Sequence, residues 1–448
     1  MEKTSSGKII LLLDYFNRGS QDLVDSFKNA KLDFQAVVIN DDGFLPDDVT
    51  NVFEYFLGDF KSGNCPGKPL YFNQISVPDY WEIGGNNSSG SVHDKDRERA
   101  RIFYAEPKNK RLVKVVDWID ESGVVRLSEH YNKYGCKYAI TSFNKKGQKV
   151  NKTYFDVNGK EIIVENFVTT DIILNYEDRT FIFKNRTEFV SYYIKRMGWE
   201  GSRVFFNSLS TPFFVSNALA AGQSKDDILF WQEATGNEIP GNMNFIFENE
   251  ASRCGHVIVQ NHPSYQRLIK LGAPKAKVSE LGFIYSFKKE NLGRPEALIC
   301  TNTENVEKLA EILEALPEVK FHVTALTEMS GKLLSHERFE NAIMYPNIKI
   351  STLMRLFVQC DFYLDINHEG EIVEGTRNAF MHNQLILAFN ETSHSKEYTD
   401  PSNVFGAKDY MLLIKKLKEV LADKDALAKA MDAQRAHGLA ASVEDYTF

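Results

Sequence analysis

The feature that most constrains this chain is a change of period partway along it. Residues 8–58 alternate strand and helix. Lys8–Tyr15 reads as an apolar strand, Ser20 as the N-cap of a helix through Leu32, and Phe34–Asn40 as a second buried strand. The loop Asp41-Asp42-Gly43-Phe44-Leu45-Pro46 then leads to a helix through Phe56. Apolar strands separated by helices build a parallel sheet covered on both faces. Over residues 68–190 the helical period disappears. Strand-like runs at 100–105, 112–120, 124–131, 136–143, 150–157, 160–168 and 172–176 are joined by turn sequences such as Glu121-Ser122-Gly123, Lys145-Lys146-Gly147-Gln148 and Val157-Asn158-Gly159-Lys160. Asn-Gly between such runs is a strong hairpin signal. An antiparallel meander is therefore expected inside an α/β domain, with the polar tracts 86–99 and 144–152 as exposed loops.

From Phe189 the α/β rhythm returns, with strands expected at Arg203–Phe206, Asp227–Trp231 and His256–Gln260. The segment Phe283–Pro295, carrying Lys, Asn, Gly and Pro, reads as a linker. Beyond it, strands at Ala297–Cys300, Val319–Ala325, Ile348–Ser351, Asp361–Ile366 and Leu385–Phe389 make a second α/β domain, closed by the helical stretch Tyr410–His437. The expected organisation is a first Rossmann-like domain in two parts (1–66 and 191–288), an inserted antiparallel β-sheet arm (67–190), and a second Rossmann-like domain with C-terminal helices (289–448). Two Rossmann-like domains facing a cleft, with a large meander inserted in the first, is the α/β fold this pattern predicts.

A net charge of −8 argues against a nucleic-acid binder, which needs clustered Lys and Arg against phosphates. The cysteines Cys65, Cys136, Cys254, Cys300 and Cys360 are far apart, and no Cys-x-x-Cys pair occurs. Cys254, Cys300 and Cys360 lie in or beside apolar runs and read as buried free thiols, in keeping with a reducing cytoplasm. The apolar run Ile9–Leu13 is too short for a signal peptide, and nothing approaches the ~20 apolar residues of a membrane span. A cytoplasmic location follows as the expectation.

In open α/β sheets, ligands lie beyond the carboxyl ends of the strands. There the first domain offers Asn17 and Gln21, Asp42, Ser208, Gln232 and Glu233, and Asn261 and His262; the second offers Thr301 and Asn302, then His368, Glu369, Glu371 and Arg377. This set is mostly neutral and hydrogen-bonding, which suits peptide groups, sugar hydroxyls or Ser and Thr side chains. The plainer explanation of any one of them is a turn or cap residue, a common role for Asn, Ser and Asp after strands. The histidines lack metal-ligand spacing with an acidic partner, no Gly-x-Ser-x-Gly elbow occurs, and no Gly-x-Gly-x-x-Gly follows the first strand. Neither a metal nor a cofactor is expected.

The stretch Asp361–Thr392 resembles the sugar-nucleotide loop in the second domain of a GT-B glycosyltransferase, with Gly375-Thr376-Arg377-Asn378 opening a helix toward an anion. Retaining enzymes with a similar domain carry two glutamates eight positions apart. Here Glu369, Glu371 and Glu374 are followed at that spacing by Arg377, Ala379 and His382. The basic clamp for a diphosphate is thin as well: Thr301–Lys308 holds one Lys, and the next candidate is Lys332. The pattern is that of a donor pocket without its catalytic groups.

Several blocks carry a more specific resemblance: DYFNRGSQDL, NDDGFLPDDV with Phe53–Phe56 close behind, WQEATGNEIPGNM, VQNHPSY, and LDINHEGEI with RNAFMHNQLILAFNET. They resemble the stabilising B subunit of the two-subunit O-linked N-acetylglucosaminyltransferase of bacterial accessory Sec systems, over nearly the whole chain. The resemblance implies a GT-B fold and a heteromer with a catalytic A subunit, formed through the inserted arm. It implies a non-catalytic subunit that binds serine-rich repeat adhesin polypeptide while the partner adds N-acetylglucosamine from UDP-N-acetylglucosamine to Ser and Thr before export. Peripheral contact with the cytoplasmic face of the membrane belongs to the same context. Two rival readings remain at this point: an active retaining transferase, and a chaperone for secretory polypeptides unconnected with glycosylation. Met1–Gly7 is given no role.

Overall fold

The computed structural model describes residues 8–40, 42–61, 63, 65–219 and 226–448. Met1–Gly7 and Asp41 lie outside them. Two compact units divide the chain: residues up to Phe27 with Lys31–Glu280, and Leu281–Phe448 with Lys28–Ala30.

In the first unit, the run Ile9–Leu13 has no polar side to turn to water, and β1 (Ile9–Tyr15) is buried throughout it. Helix α1 (Arg18–Asn29) leads to β2 (Phe34–Asn40), and β3 (Thr50–Asn51) leads into helix α2 (Val52–Leu57). The helix α1 starts earlier than expected. Its first turn is capped by Asn17, whose Oδ1 accepts the Ser20 N–H at 2.9 Å, and Ser20 itself sits buried inside the helix.

Ten antiparallel strands then form the arm. The first five are β4 (Glu82–Gly85), β5 (Ser89–Asp94), β6 (Arg97–Tyr104), β7 (Val113–Ile119) and β8 (Val125–Tyr131). The rest are β9 (Lys137–Phe143), β10 (Lys149–Phe155), β11 (Glu161–Asn166), β12 (Ile172–Tyr176) and β13 (Arg179–Phe183). Each pairs with its sequence neighbour, so the order runs straight from β13 to β4. The tracts 86–99 and 144–152 are not loops as a whole. Residues 89–94 pair with β6, turning Val92 fully inward, and β10 begins at Lys149. High polarity hid the alternation in both.

Helix α3 (Arg186–Arg196) returns the chain to the parallel sheet. There β14 (Arg203–Phe206), α4 (Thr211–Ala218), β15 (Asp227–Trp231), α5 (Gly241–Glu248), β16 (Cys254–Val259), α6 (His262–Lys270) and β17 (Val278–Glu280) complete the order β17-β16-β15-β14-β1-β2-β3. Arm and parallel sheet share one hydrophobic core. Phe53 of α2 stacks on Tyr154 of the arm at 4.7 Å and meets Phe189 of α3 at 4.9 Å. Beyond that junction the arm has a small core of its own around Val92, Ile102, Val113 and Val116. Cys65 and Cys136 are joined by a disulfide across a sequence separation of 71, their Cα atoms 5.4 Å apart. The reading of scattered, unpaired cysteines missed this pair, because spacing along the chain says nothing of a contact made by folding. Cys254, Cys300 and Cys360 are free and buried.

The second unit has the sheet order β20-β19-β18-β21-β22-β23. Its elements are β18 (Glu296–Cys300), α7 (Leu309–Ala315), β19 (Lys320–Thr324), α8 (Gly331–Leu334), β20 (Ala342–Tyr345), α9 (Ile350–Gln359), β21 (Phe362–Asp365), α10 (Gly375–Met381), β22 (Leu385–Phe389), β23 (Val404–Phe405), α11 (Tyr410–Ala422) and α12 (Lys424–His437). The strand expected at Ile348–Ser351 is a helix start; the strand is Ala342–Tyr345, ended by Pro346. Nor is 283–295 a free linker. Tyr285 and Phe287 pack on Phe380, and Lys289, Arg294 and the Leu292 N–H all bind the fully buried Asp361. Residues 281–288, placed with the first domain by pattern, thus belong to the second unit.

Candidate functional site

In the first unit, the carboxyl ends of β1, β2 and β14 meet at Asp14. Its carboxylate accepts from Asn40 Nδ2 at 2.6 Å and Ser208 Oγ at 3.2 Å, and its N–H donates to Asn207 Oδ1 at 3.0 Å. Burial raises its pKa above the ordinary carboxylate value, against the pull of these bonds and of Arg186. Arg186 donates to Asn40 Oδ1 and grips Glu165 of the arm, with one bond at 2.9 Å. Ser208, Asp14, Asn40, Arg186 and Glu165 therefore make one polar chain from the parallel sheet into the arm. Only Ser208 of these five was selected from sequence. Asp14 carried a signal, as the first charge after a buried strand; the others are brought in by pairing across the fold.

The remaining selected residues of this unit are mostly committed. Asn17 and Asn261 are helix caps. Gln21 accepts from Arg18 at 3.0 Å. Gln232 donates to the Gly19 carbonyl at 3.0 Å and to Gln260 at 2.9 Å. His262 Nδ1 lies 2.8 Å from the Glu280 carboxylate. The Glu233 carboxyl is raised by burial and then by the nearby Asp14 charge.

A groove of about 1150 Å³ lies between the ends of β1 and β2 and one face of five arm strands, β7 to β11. It takes in Asn17 and Asp42 of the selected set. Asp42 is held by Lys114 of the arm at 2.6 Å. His130, 2.8 Å from Thr141 Oγ1, is lowered to about 3 by burial, helped by Lys152, Lys149 and Lys114, so its ring is neutral.

In the second unit, the polar groups answer one another. Thr301 bonds Thr303 in its own turn, and Asn302 Oδ1 accepts the Leu326 N–H at 3.1 Å. His368 meets Glu307 at 2.8 Å, and Glu369, in a left-handed backbone conformation, receives a long bond of 3.4 Å from Asn305. Glu371 is turned onto the start of α10, its carboxylate accepting the Thr376 N–H at 2.5 Å. Arg377 donates to the Tyr398 hydroxyl at 2.7 Å. A Cβ at Gly375 would overlap the Tyr363 hydroxyl, which explains glycine at that position. The two lysines considered for a diphosphate clamp are also engaged, Lys308 with Glu311 at 3.2 Å and Lys332 with Glu304 at 3.8 Å. His394 Nδ1 sits 2.6 Å from the fully buried Asp365; that bond, against the opposing effect of burial, raises its pKa to about 9.

Glu296, His322 and Cys360, at the opposite ends of the strands, bring one potential metal-ligand atom each within 4.8 Å of one another. The His322 ring is nonetheless fully engaged without an ion, by Glu296 at 3.2 Å and Tyr345 at 3.0 Å.

Two parallel sheets with crossover helices, the first carrying a meander, define a GT-B glycosyltransferase fold. The pneumococcal O-GlcNAc transferase GtfA, in complex with UDP and GlcNAc, shares it at a TM-score of 0.53 and 13% identity, each chain 96% covered. Sequence profiles match in chain order: the GtfB N-terminal domain over 10–56, the GtfB middle domain over 81–184, the GtfB third domain over 186–271, and the GftB/GlyA-F C-terminal domain over 297–434. The chain is 44% identical to the UDP-N-acetylglucosamine–peptide N-acetylglucosaminyltransferase stabilizing protein GtfB of Streptococcus agalactiae, covering 92% of both. With the same protein of Streptococcus gordonii it shares 39%, covering 96% of this chain and 95% of that one. A chain in a crystal structure of a GtfA/B complex bound to UDP and GlcNAc superposes at a TM-score of 0.91 with 39% identity, covering 98% of each. The protein belongs to the GtfB family of glycosyltransferase-stabilizing proteins.

Proposed function

We propose that this chain is the non-catalytic, stabilising and polypeptide-binding subunit of a heteromeric protein O-GlcNAc transferase. Its partner is a GtfA-type catalytic subunit, joined through the arm. Its substrate is a serine-rich repeat adhesin, modified on Ser and Thr in the cytoplasm before accessory Sec export. The observation that carries the non-catalytic reading is the self-engagement of the second unit's loop. Glu371 holds the backbone N–H that would face a donor phosphate, Lys308 and Lys332 are paired with glutamates, and none of Glu369, Glu371 and Glu374 has a glutamate eight positions on. Transition-state charge at a sugar and its diphosphate needs preorganised groups of opposite sign, and these are spent elsewhere. Among the described residues no helix is long and apolar enough to cross a membrane.

Transfer of N-acetylglucosamine from UDP-N-acetylglucosamine to a serine-rich peptide tests the proposal, comparing this chain alone, its partner alone and the two together. The expected result is no turnover by this chain and strong turnover by the mixture. Turnover by this chain alone overturns it.

A further inference from the structure

The groove between the first parallel sheet and the arm gathers three side-chain amides with unused donors along one wall, where Asn261 and Asn302 offer single ones. Asn17, Asn166 and Asn185 all line it. Each spends its side-chain oxygen on nearby backbone N–H groups: Asn17 on Ser20, Asn166 on Val168 and Thr169, Asn185 on Glu188. Those bonds fix the orientation of each amide, leaving the NH₂ as the group on offer. Among the described residues none of the three NH₂ groups donates a bond within the chain. Apolar surface stands beside them: Tyr15, 59% exposed, with Phe16, Phe143 and Phe167.

The charges of the lining narrow the occupant. Lys114 is paired with Asp42, Arg186 with Glu165, Asp117 accepts from Ser128, and Lys149 lies over the Phe167 ring at 5.8 Å. With Lys152, which lies over the Tyr154 ring at 4.7 Å, the wall holds four cations and three anions, so a strongly acidic or strongly basic chain meets repulsion somewhere, and an uncharged one meets none. Amide donors and ring faces suit a partner rich in oxygen acceptors, with small side chains that let its backbone come close. Peptide carbonyls are such acceptors only where a helix has not already used them. Crossing five strands spans four strand spacings, about 19 Å, the length of about six residues of extended chain.

We infer that this groove binds an extended, uncharged, Ser- and Thr-rich polypeptide segment, with the Asn17, Asn166 and Asn185 amides donating to its carbonyl and hydroxyl oxygens and the aromatic rings flanking it. This rests on the polypeptide-binding part of the proposed function and assigns it a place: the arm junction of the first unit.

The test uses the full-length chain with its GtfA-type partner and a fluorescein-labelled synthetic peptide of Ser, Thr, Ala and Val, read by anisotropy. The triple variant Asn17→Asp, Asn166→Asp, Asn185→Asp keeps every acceptor oxygen that the caps and turn use and removes all three donors. The expected result is at least about fivefold weaker peptide binding, with assembly of the two subunits retained. A smaller loss overturns the assignment. A photoreactive benzophenone amino acid replacing Phe167 gives an independent reading: cross-linking of the peptide supports the groove, and irradiation without capture by a variant that still binds peptide overturns it. Displacement of the peptide by free N-acetylglucosamine overturns the choice of occupant. If the unaltered complex fails to bind the peptide at all, the polypeptide-binding reading itself falls, a result distinct from a groove variant that binds normally.

Discussion

The loop ends of the two parallel sheets have the same topological position and opposite chemistry. In the second unit, Glu371, Arg377, His368, Lys308 and Lys332 each find a partner in their own unit. In the first, the buried network around Asp14 is equally closed, but the groove beside it presents three amide NH₂ groups that the described residues do not use. A loop whose charges neutralise one another gains rigidity and loses affinity for a charged ligand. A wall with spare neutral donors has affinity for a neutral acceptor. The difference teaches that the same sheet-end position can hold either a loop that satisfies its own charges or a wall that keeps neutral donors in hand.

The largest way to break this comparison is at Asp365. Asp365→Ala takes away the acceptor of both the His394 ring and the His394 N–H, so the ring reverts to neutral and a part-buried N–H loses its partner; the second unit should lose about 3 kcal/mol with peptide binding unchanged. The four tryptophans, Trp81, Trp118, Trp199 and Trp231, all lie in the first unit, so their fluorescence misses this loss. Hydrogen exchange of β21 and β22 reads it. Next comes pH. His394 stands above the ordinary imidazole value of 6.5, so the stability it adds is full below pH 6.5 and is lost as pH rises through about 9. Protection of the second unit should fall by about 2 kcal/mol across that window, and His394→Asn should abolish the fall. A smaller effect sharpens the other side. Asn261→Ala removes the cap of α6 and should cost about 1 kcal/mol by urea unfolding, while Asn261→Asp costs almost nothing and neither changes peptide affinity. A loss of binding in both would make Asn261 a ligand contact. Least of all, His262→Ala breaks an exposed contact with Glu280 and should change stability by less than about 0.5 kcal/mol.

Strands without a polar face were legible in the sequence: Phe34–Asn40, Arg203–Phe206, Asp227–Trp231 and Leu385–Phe389 fall where their apolar runs stand. The strand Ala342–Tyr345 lies a few residues before the expected Ile348–Ser351, which starts a helix, and β5 is hidden because Ser89–Asp94 reads as a polar tract. Candidate site residues were legible as positions but not as roles. A residue after a strand announces itself locally, whereas its partner is set by topology: Ser208 reaches Asp14 across 194 residues, and Arg186 reaches Asn40 across 146. The groove could not be read at all, since it is assembled from residues between Tyr15 and Arg186 that no local pattern connects.

The pairing of β1 with β14 has a consequence for synthesis. Strand β1 is complete at Tyr15, but the neighbour on its other side ends at Phe206. At about 5–20 residues per second, that partner follows after roughly 10–40 s. The meander made in between needs no such wait, because every one of its strands pairs with the one just finished. The arm can therefore form while the sheet that carries it is still half made. During that interval Ile9–Leu12 is an apolar edge without its partner, and chaperone binding or aggregation of stalled nascent chains should map to it.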